Sequence, residues 1–216
     1  GNWNSDGDSR WGEVAAADLV PEVSCGRAAV GTATEAENFI EKMVKYQRAP
    51  VTGQVRNALM VGELLWSDPT YGCDYKDEIR YGSSNHGYTT AGFPGAFDVG
   101  TLYDRDLAPG SWDKEDLLPL MNGGRHIINH LGHANVTYGL RMYNSDVETR
   151  FTNDGVSNTY NIIYTQGCYS GAFDNRTDGG TYTDDCIGEH FCFVDKGAVA
   201  FIGNTRYGWG AHSSTR

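Results

Sequence analysis

The sequence predicts an α/β domain built on a mostly parallel sheet, and three observations predict it. Four short runs, Ala58–Val61, His126–Asn129, Tyr160–Tyr164 and Ala198–Ile202, are largely apolar on consecutive residues. Strict alternation marks a strand with one wet face, whereas unbroken runs suit strands covered on both faces. Helical or long irregular stretches separate the runs, as crossovers between parallel strands require. Each run also ends on a polar, glycine-marked stretch: Gly62-Glu63, His130-Leu131-Gly132-His133, Gln166-Gly167-Cys168 and Gly203-Asn204-Thr205.

The first helix is expected from about Thr34 to Ala49. Thr34 and Glu37 have the spacing of a capping box. Ala36, Phe39, Ile40, Met43 and Val44 then fall on one face at helical period. A second helix is expected over Trp112–Met121, ended by Asn122-Gly123-Gly124, with Pro119 in its last turn. The segment Tyr71–Asp106 is rich in Gly, Tyr, Asp and Ser, and reads as a long irregular insertion over the site. No internal repeat or low-complexity tract interrupts the chain, so residues 1–216 read as one domain.

A net charge of −11 argues against nucleic acid and anionic membranes as partners and suits a secreted or cell-surface protein. No apolar run approaches the roughly 20 residues of a membrane span. The N-terminus lacks the basic-then-apolar pattern of a signal peptide. The five cysteines, Cys25, Cys73, Cys168, Cys186 and Cys192, are too sparse for a disulfide scaffold. Their odd number leaves at least one thiol free if the others pair within the chain.

In open α/β sheets, ligands bind beyond the carboxyl ends of the strands. Four runs therefore deliver Glu63, His133, Cys168 and Asn204 to one rim. A lone cysteine is more often a buried core residue than a nucleophile. Cys168 is singled out because it follows Gly167 at a strand end, where a nearby imidazole can hold its thiol as thiolate. His133 follows Gly132 at another strand end, where an acid/base histidine can reach both a nucleophile and a leaving group. Glu63 is the candidate to orient or charge-stabilise that imidazole. A solvated carboxylate is the bland alternative. His86, His190 and His212 lack the strand-end context.

Two metal readings also arise. On a helix, His126, His130 and His133 would share one face and could bind zinc, but Ile127-Ile128 and Gly132 favour a strand running into a turn. At the N-terminus, Asn2, Asn4, Asp6, Gly7, Asp8 and Glu13 fit positions 1, 3, 5, 6, 7 and 12 of a calcium loop. That loop would be a structural calcium site.

With these residues in view, the chain resembles the gingipain-type cysteine peptidases, a family with a caspase-like fold. The resemblance runs through Val20–Arg27, Glu35–Glu37, Ile128–His133, Gly167–Gly171 and Gly203–Trp209. It implies a three-layer sandwich, incomplete if this chain is a processed piece whose sheet another chain or segment completes. It implies a Cys168 nucleophile, a His133 proton donor, and an oxyanion site made by the Cys168 N–H with one near His133. Glu63 matches the family's glutamate near that histidine, and Trp209 the aromatic wall beside the side chain before the cut. Asp74, near Asp77 and Glu78, is the expected reader of Arg or Lys there. Ala134 stands where relatives usually carry Gly, which bears on the second oxyanion donor. The expected function is thus a calcium-bearing cysteine endopeptidase with protein or peptide substrates. The alternatives are a zinc hydrolase on the three histidines and a catalytically silent binding or assembly domain.

Overall fold

The four apolar runs lie side by side in one sheet, and a fifth strand extends it at the edge. The structure, a computed structural model, describes residues 4, 6–10, 23–85, 87 and 89–210. In chain order come α1 (Ala33–Arg48), β1 (Asn57–Gly62), a hairpin of β2 (Leu64–Trp66) and β3 (Thr70–Tyr71), α2 (Gly72–Tyr81) and β4 (Asp98–Tyr103). Then follow α3 (Asp104–Leu107), α4 (Lys114–Asn122), β5 (Ile127–Leu131) and a hairpin of β6 (Tyr138–Gly139) and β7 (Met142–Tyr143). The chain continues through α5 (Asn144–Arg150), β8 (Asn161–Thr165), α6 (Ile187–Phe193) and β9 (Ala198–Ile202). Among the described residues no helix is long and apolar enough to cross a membrane.

The central sheet has the order β4-β1-β5-β8-β9, and every neighbouring pair is parallel. From β1 the chain moves outward to β4, and from β5 it moves the other way to β8. The sheet's connections therefore diverge between β1 and β5, the kind of switch point where open α/β sheets place their ligands.

Alternate residues of β1 explain the three layers. Leu59 and Val61 join Trp112, Leu117, Met121, Ile128, Ile163 and Phe191 in the larger core, which α4 and α6 cover. Ala58 and Met60 point the other way, to Cys73 of α2 and Tyr103, with Phe93 and Phe97 packed alongside. Both faces of β1 are covered, so its run is apolar without alternation.

Three sequence expectations need correction. The capping box is Thr32–Glu35: the Thr32 hydroxyl accepts from the Glu35 N–H at 3.2 Å, and Glu35 Oε2 from the Thr32 N–H at 3.2 Å. The stretch Thr-Ala-Thr-Glu-Ala-Glu contains the same motif twice in overlapping register, and the earlier copy wins. The second helix begins after the cap residue Asp113 and takes Pro119 within it. Most important, Tyr71–Asp106 is not wholly irregular, since it supplies α2 and the edge strand β4.

Candidate active site

Parallel pairing of β5 with β8 sets the site. His130 stands opposite Thr165, and three residues beyond that pair come His133 in the loop after β5 and Cys168 in the loop after β8. Neighbouring strands lie about 4.8 Å apart, so the two side chains leave adjacent loops at one edge. The loops also touch. A Cβ built on Gly167 would lie 2.6 Å from the Ala134 Cβ, which is closer than real Cβ atoms approach. Glycine before the cysteine is what lets the two turns sit together.

Cys168 is a free, half-buried thiol, and Gly208 donates its N–H to Sγ at 3.4 Å. Its turn is held from three sides. Tyr169, in the left-handed region at φ 56°, donates its N–H to Arg206 O at 2.7 Å. Gly171 donates to Asn204 O at 2.9 Å, and the Asn204 amide donates to Gln166 O at 2.9 Å. Asn204, delivered by β9, thus fixes the nucleophile's turn. Among the described residues, neither the Cys168 nor the Ala134 N–H has a hydrogen-bond acceptor. By contrast, burial pushes the Cys73 and Cys186 thiols up to about 12 and the Cys192 thiol up to about 11. Such thiols are inert at neutral pH.

Glu63 lies almost wholly inside, at 3 % exposure. Its Oε1 pairs with His130 Nε2 at 2.9 Å, and its Oε2 accepts the His133 backbone N–H at 3.3 Å. Burial raises the Glu63 pKa, but the His130 hydrogen bond and charge, Arg141 and the His133 N–H together leave it lowered. The other His130 nitrogen, Nδ1, meets Thr165 Oγ1 at 2.8 Å, and that hydroxyl accepts the Gly167 N–H at 3.0 Å. One polar chain therefore runs from the cysteine's turn through Thr165, His130 and Glu63 to the histidine's main chain. The glutamate was expected to orient the His133 ring; its ring partner is His130, and it holds His133 through the backbone. Gly132 is needed for this, because a Cβ there would lie 2.3 Å from Glu63 Cδ.

Asp74 lies in the first turn of α2, two residues after Gly72, whose own would-be Cβ meets Leu131 O at 2.4 Å beside the histidine's loop. Its carboxylate is already engaged: Arg105 donates to Asp74 at 2.6 Å and to Asp77 at 2.9 Å. Trp209 follows Gly208, the donor to Cys168, and is 90 % exposed. Trp66 stands nearby, with Cη2 at 3.0 Å from a Cβ built on Gly210.

A family model, that of peptidase family C25, matches residues 4–216. The chain belongs to peptidase family C25. Two solved structures of gingipain R (RgpB) share the fold of this C25 chain. One is the Arg-specific cysteine proteinase itself, at TM-score 0.62 and 17 % identity over 84 % of this chain and 40 % of that one. The other is the complex of the Porphyromonas gingivalis RgpB pro- and mature domains, at TM-score 0.62 and 18 % identity over 86 % and 41 %. The chain thus spans about two fifths of each RgpB chain. No curated protein sequence matches it. The fold is the α/β, caspase-like arrangement expected.

The two metal readings fare differently. His126 Nδ1 meets Val55 O and Nε2 meets the Tyr46 hydroxyl, each at 2.8 Å, while His130 is taken by Thr165 and Glu63. The three histidines do not form one face. Among the described residues no group of three His, Cys, Asp or Glu side chains fits a metal ion. Of the calcium-loop residues, Asn2 and Glu13 lie outside the described residues. In the described part, Asn4 donates to Asp8 O at 2.7 Å, and Asp8 Oδ1 accepts the Arg10 N–H at 2.6 Å.

Sequence reasoning missed Lys76, Gln166 and Thr165. Lys76 is fully buried in α2 and donates to Asn129 Oδ1 and Gln166 Oε1, both at 2.7 Å. A lysine in a polar helix carries no sequence signal of this role. His130 and Thr165 do carry one, since polar residues ending otherwise apolar strands need partners.

Proposed function

We propose that this C25 chain carries the catalytic centre of a cysteine endopeptidase, with Cys168 as nucleophile and His133 as acid/base. What supports the reading is one relationship: a free thiol and an imidazole on touching loops that extend adjacent parallel strands. His133 takes the thiol proton, and the thiolate attacks the peptide carbonyl. The carbonyl oxygen gains negative charge, which the unpartnered N–H groups of Cys168 and Ala134 can stabilise. The intermediate collapses as the C–N bond breaks and the imidazolium proton passes to the departing amine. A thioester remains. Water then attacks it, His133 accepts the water's proton, and the C–S bond breaks to return the thiolate. Glu63 and His130 act as positioning residues behind His133.

The finer reading concerns the side chain before the cut. Asp74 would read Arg or Lys there by a bidentate charge-assisted contact, with Trp209 as its aromatic wall. Arg105 now occupies that carboxylate, so a substrate arginine would have to displace it. A structural calcium at Asn2, Asn4, Asp6, Asp8 and Glu13, and secretion or display at a cell surface, belong to the same proposal. So does a second segment completing the fold. Chelation that lowers the melting temperature, with recovery on added calcium, would support the calcium loop.

The decisive test is labelling with an arginyl chloromethylketone and peptide mapping. Label on Cys168 that His133→Ala prevents is the expected result. A folded chain in which Cys168 reacts no faster than a free thiol, with or without His133, would instead be a silent binding domain.

A further inference from the structure

Beside the nucleophile's turn lies a cavity that no step above uses. It has a volume of about 550 Å³ and opens between α2, the Ser83–Phe97 excursion and Gln166. That volume is within the about 300–1,000 Å³ typical of small-ligand sites. Its walls are mainly apolar: Tyr75 and Ile79 from one flank of α2, and Phe93, Pro94 and Phe97 opposite.

The walls are built. Ser83 and Thr90 exchange backbone hydrogen bonds at 3.2 and 2.8 Å, and Phe93 donates its N–H to Arg80 O at 3.1 Å. Gly82 and Gly92 sit at φ +89° and +72°, and a Cβ on either would come within 2.5 Å of the opposing backbone. Ser83 and the Thr90–Phe93 stretch are therefore clamped to the end of α2. Phe93 and Phe97 meet edge to face at 5.2 Å and rest on the smaller core.

The cavity reaches the strand end that leads to the proposed nucleophile. Gln166, which lines it, stands two residues before Cys168, and Lys76 fixes its amide from below. The Gly208 backbone crosses directly over Gln166, since a Cβ there would strike Gln166 O. The same glycine donates to Cys168 Sγ. Gln166 thus links the cavity's lining to the turn that carries Cys168.

We infer that the cavity between α2 and the Phe93–Phe97 wall takes a large apolar side chain, of the Leu, Phe or Tyr class, from a peptide bound for cleavage at Cys168. This rests on the peptidase reading and adds a second point of selection beside Asp74. Burying an aromatic side chain there corresponds to about tenfold or more in affinity.

The test separates the two readings by measuring binding without turnover. Cys168→Ala chain is titrated, by fluorescence polarisation, with labelled hexapeptides holding one Arg and either Phe or Ser at each other position. One position should favour Phe by about tenfold or more. Ile79→Trp, which fills the cavity from an exposed helix position, should erase that preference. Equal binding of Phe and Ser peptides at every position, or no binding at all, overturns the inference. So does a Phe preference that survives Ile79→Trp. The peptidase reading is judged apart, by iodoacetamide reaction at Cys168 in the native chain and its dependence on His133. Fast alkylation without a Phe preference sinks the cavity alone; a Phe preference with an unreactive Cys168 sinks the dyad alone.

Discussion

Gly167 and Ala134 touch so closely that the first has no room for a side chain: a Cβ on Gly167 would stand 2.6 Å from that of Ala134. This contact couples the cysteine's turn to the histidine's. Gly167→Ala should push the turns apart, cost about 1–3 kcal/mol of stability and slow reaction at Cys168 by about tenfold or more. The double variant Gly167→Ala/Ala134→Gly removes one of the two clashing groups, so much of both losses should return. Urea unfolding and iodoacetamide kinetics read the two effects. A double variant no better than the single one would show that the contact does not couple the loops.

Glu63 supports both loops from inside, and its variants should separate charge from shape. Glu63→Ala strands His130 and the His133 N–H in a buried site, at a cost of about 3–5 kcal/mol. Glu63→Gln keeps one acceptor oxygen and presents an amide NH2 in place of the other, so it should cost less than Glu63→Ala, about 1–3 kcal/mol. The folded carboxyl is held below its unfolded value. Its contribution is therefore present above the unfolded pKa, about 4.3, and is lost as pH falls through the lower folded value. Unfolding curves should show wild type and Glu63→Gln converging on acidification. A constant gap down to pH 2 would mean the carboxylate's charge is immaterial.

These two predictions also show which features the sequence could carry. The strands β1, β5, β8 and β9 were legible because burial on both faces demands unbroken apolar runs, as in Ala-Leu-Met-Val. The edge strand Asp98–Tyr103 was not, since Asp98 is exposed, the next four residues are only part-buried, and one of them is Gly100. Helix α2 escaped for a related reason: among its sheet-facing residues are Cys73 and Lys76, which leave no apolar stripe to read. At the rim, glycine before His133 and Cys168 marked the two turns correctly. What stayed hidden was pairing between distant residues. Nothing in one dimension says that Glu63 turns to His130, or that Arg105 reaches back across 31 residues to Asp74.

Arg105 should therefore act on selectivity more than on stability. Its forked contact with Asp74 and Asp77 is part-exposed, at 38 % for the arginine side chain. Such pairs contribute only about 0–1 kcal/mol. Arg105→Ala should leave the melting temperature within a few degrees of wild type and release Asp74 from its guanidinium partner, while Asp77 keeps the Tyr103 hydroxyl. The ratio of kcat/KM for Arg over uncharged substrates should rise about tenfold, and Asp74→Asn should cancel the gain. An unchanged ratio would remove Asp74 from the list of substrate readers.

Lys76 gives the pH signature least like that of an ordinary surface lysine. Its ammonium is fully buried, donates to two amide oxygens and has the Tyr164 ring 5.5 Å away. Burial pushes its pKa from 10.5 down to about 7. Below pH 7 both folded and unfolded chains carry the proton, and the folded one bears the cost of a buried charge. Between pH 7 and about 10.5 the unfolded chain holds a proton that the folded chain has shed, so stability rises with pH. The slope is about 1.4 kcal/mol per pH unit, and the total gain is on the order of 5 kcal/mol. Lys76→Met lacks the titrating group while filling similar space. Wild-type stability measured against that variant should climb from pH 7 to 10 and be flat from pH 5 to 6.5. Because Lys76 grips Gln166, reaction at Cys168 should also slow in Lys76→Met at every pH. A stability difference that stays level across the whole alkaline range would mean the ammonium keeps its proton in the folded chain, and that the buried site is wetter than its geometry implies.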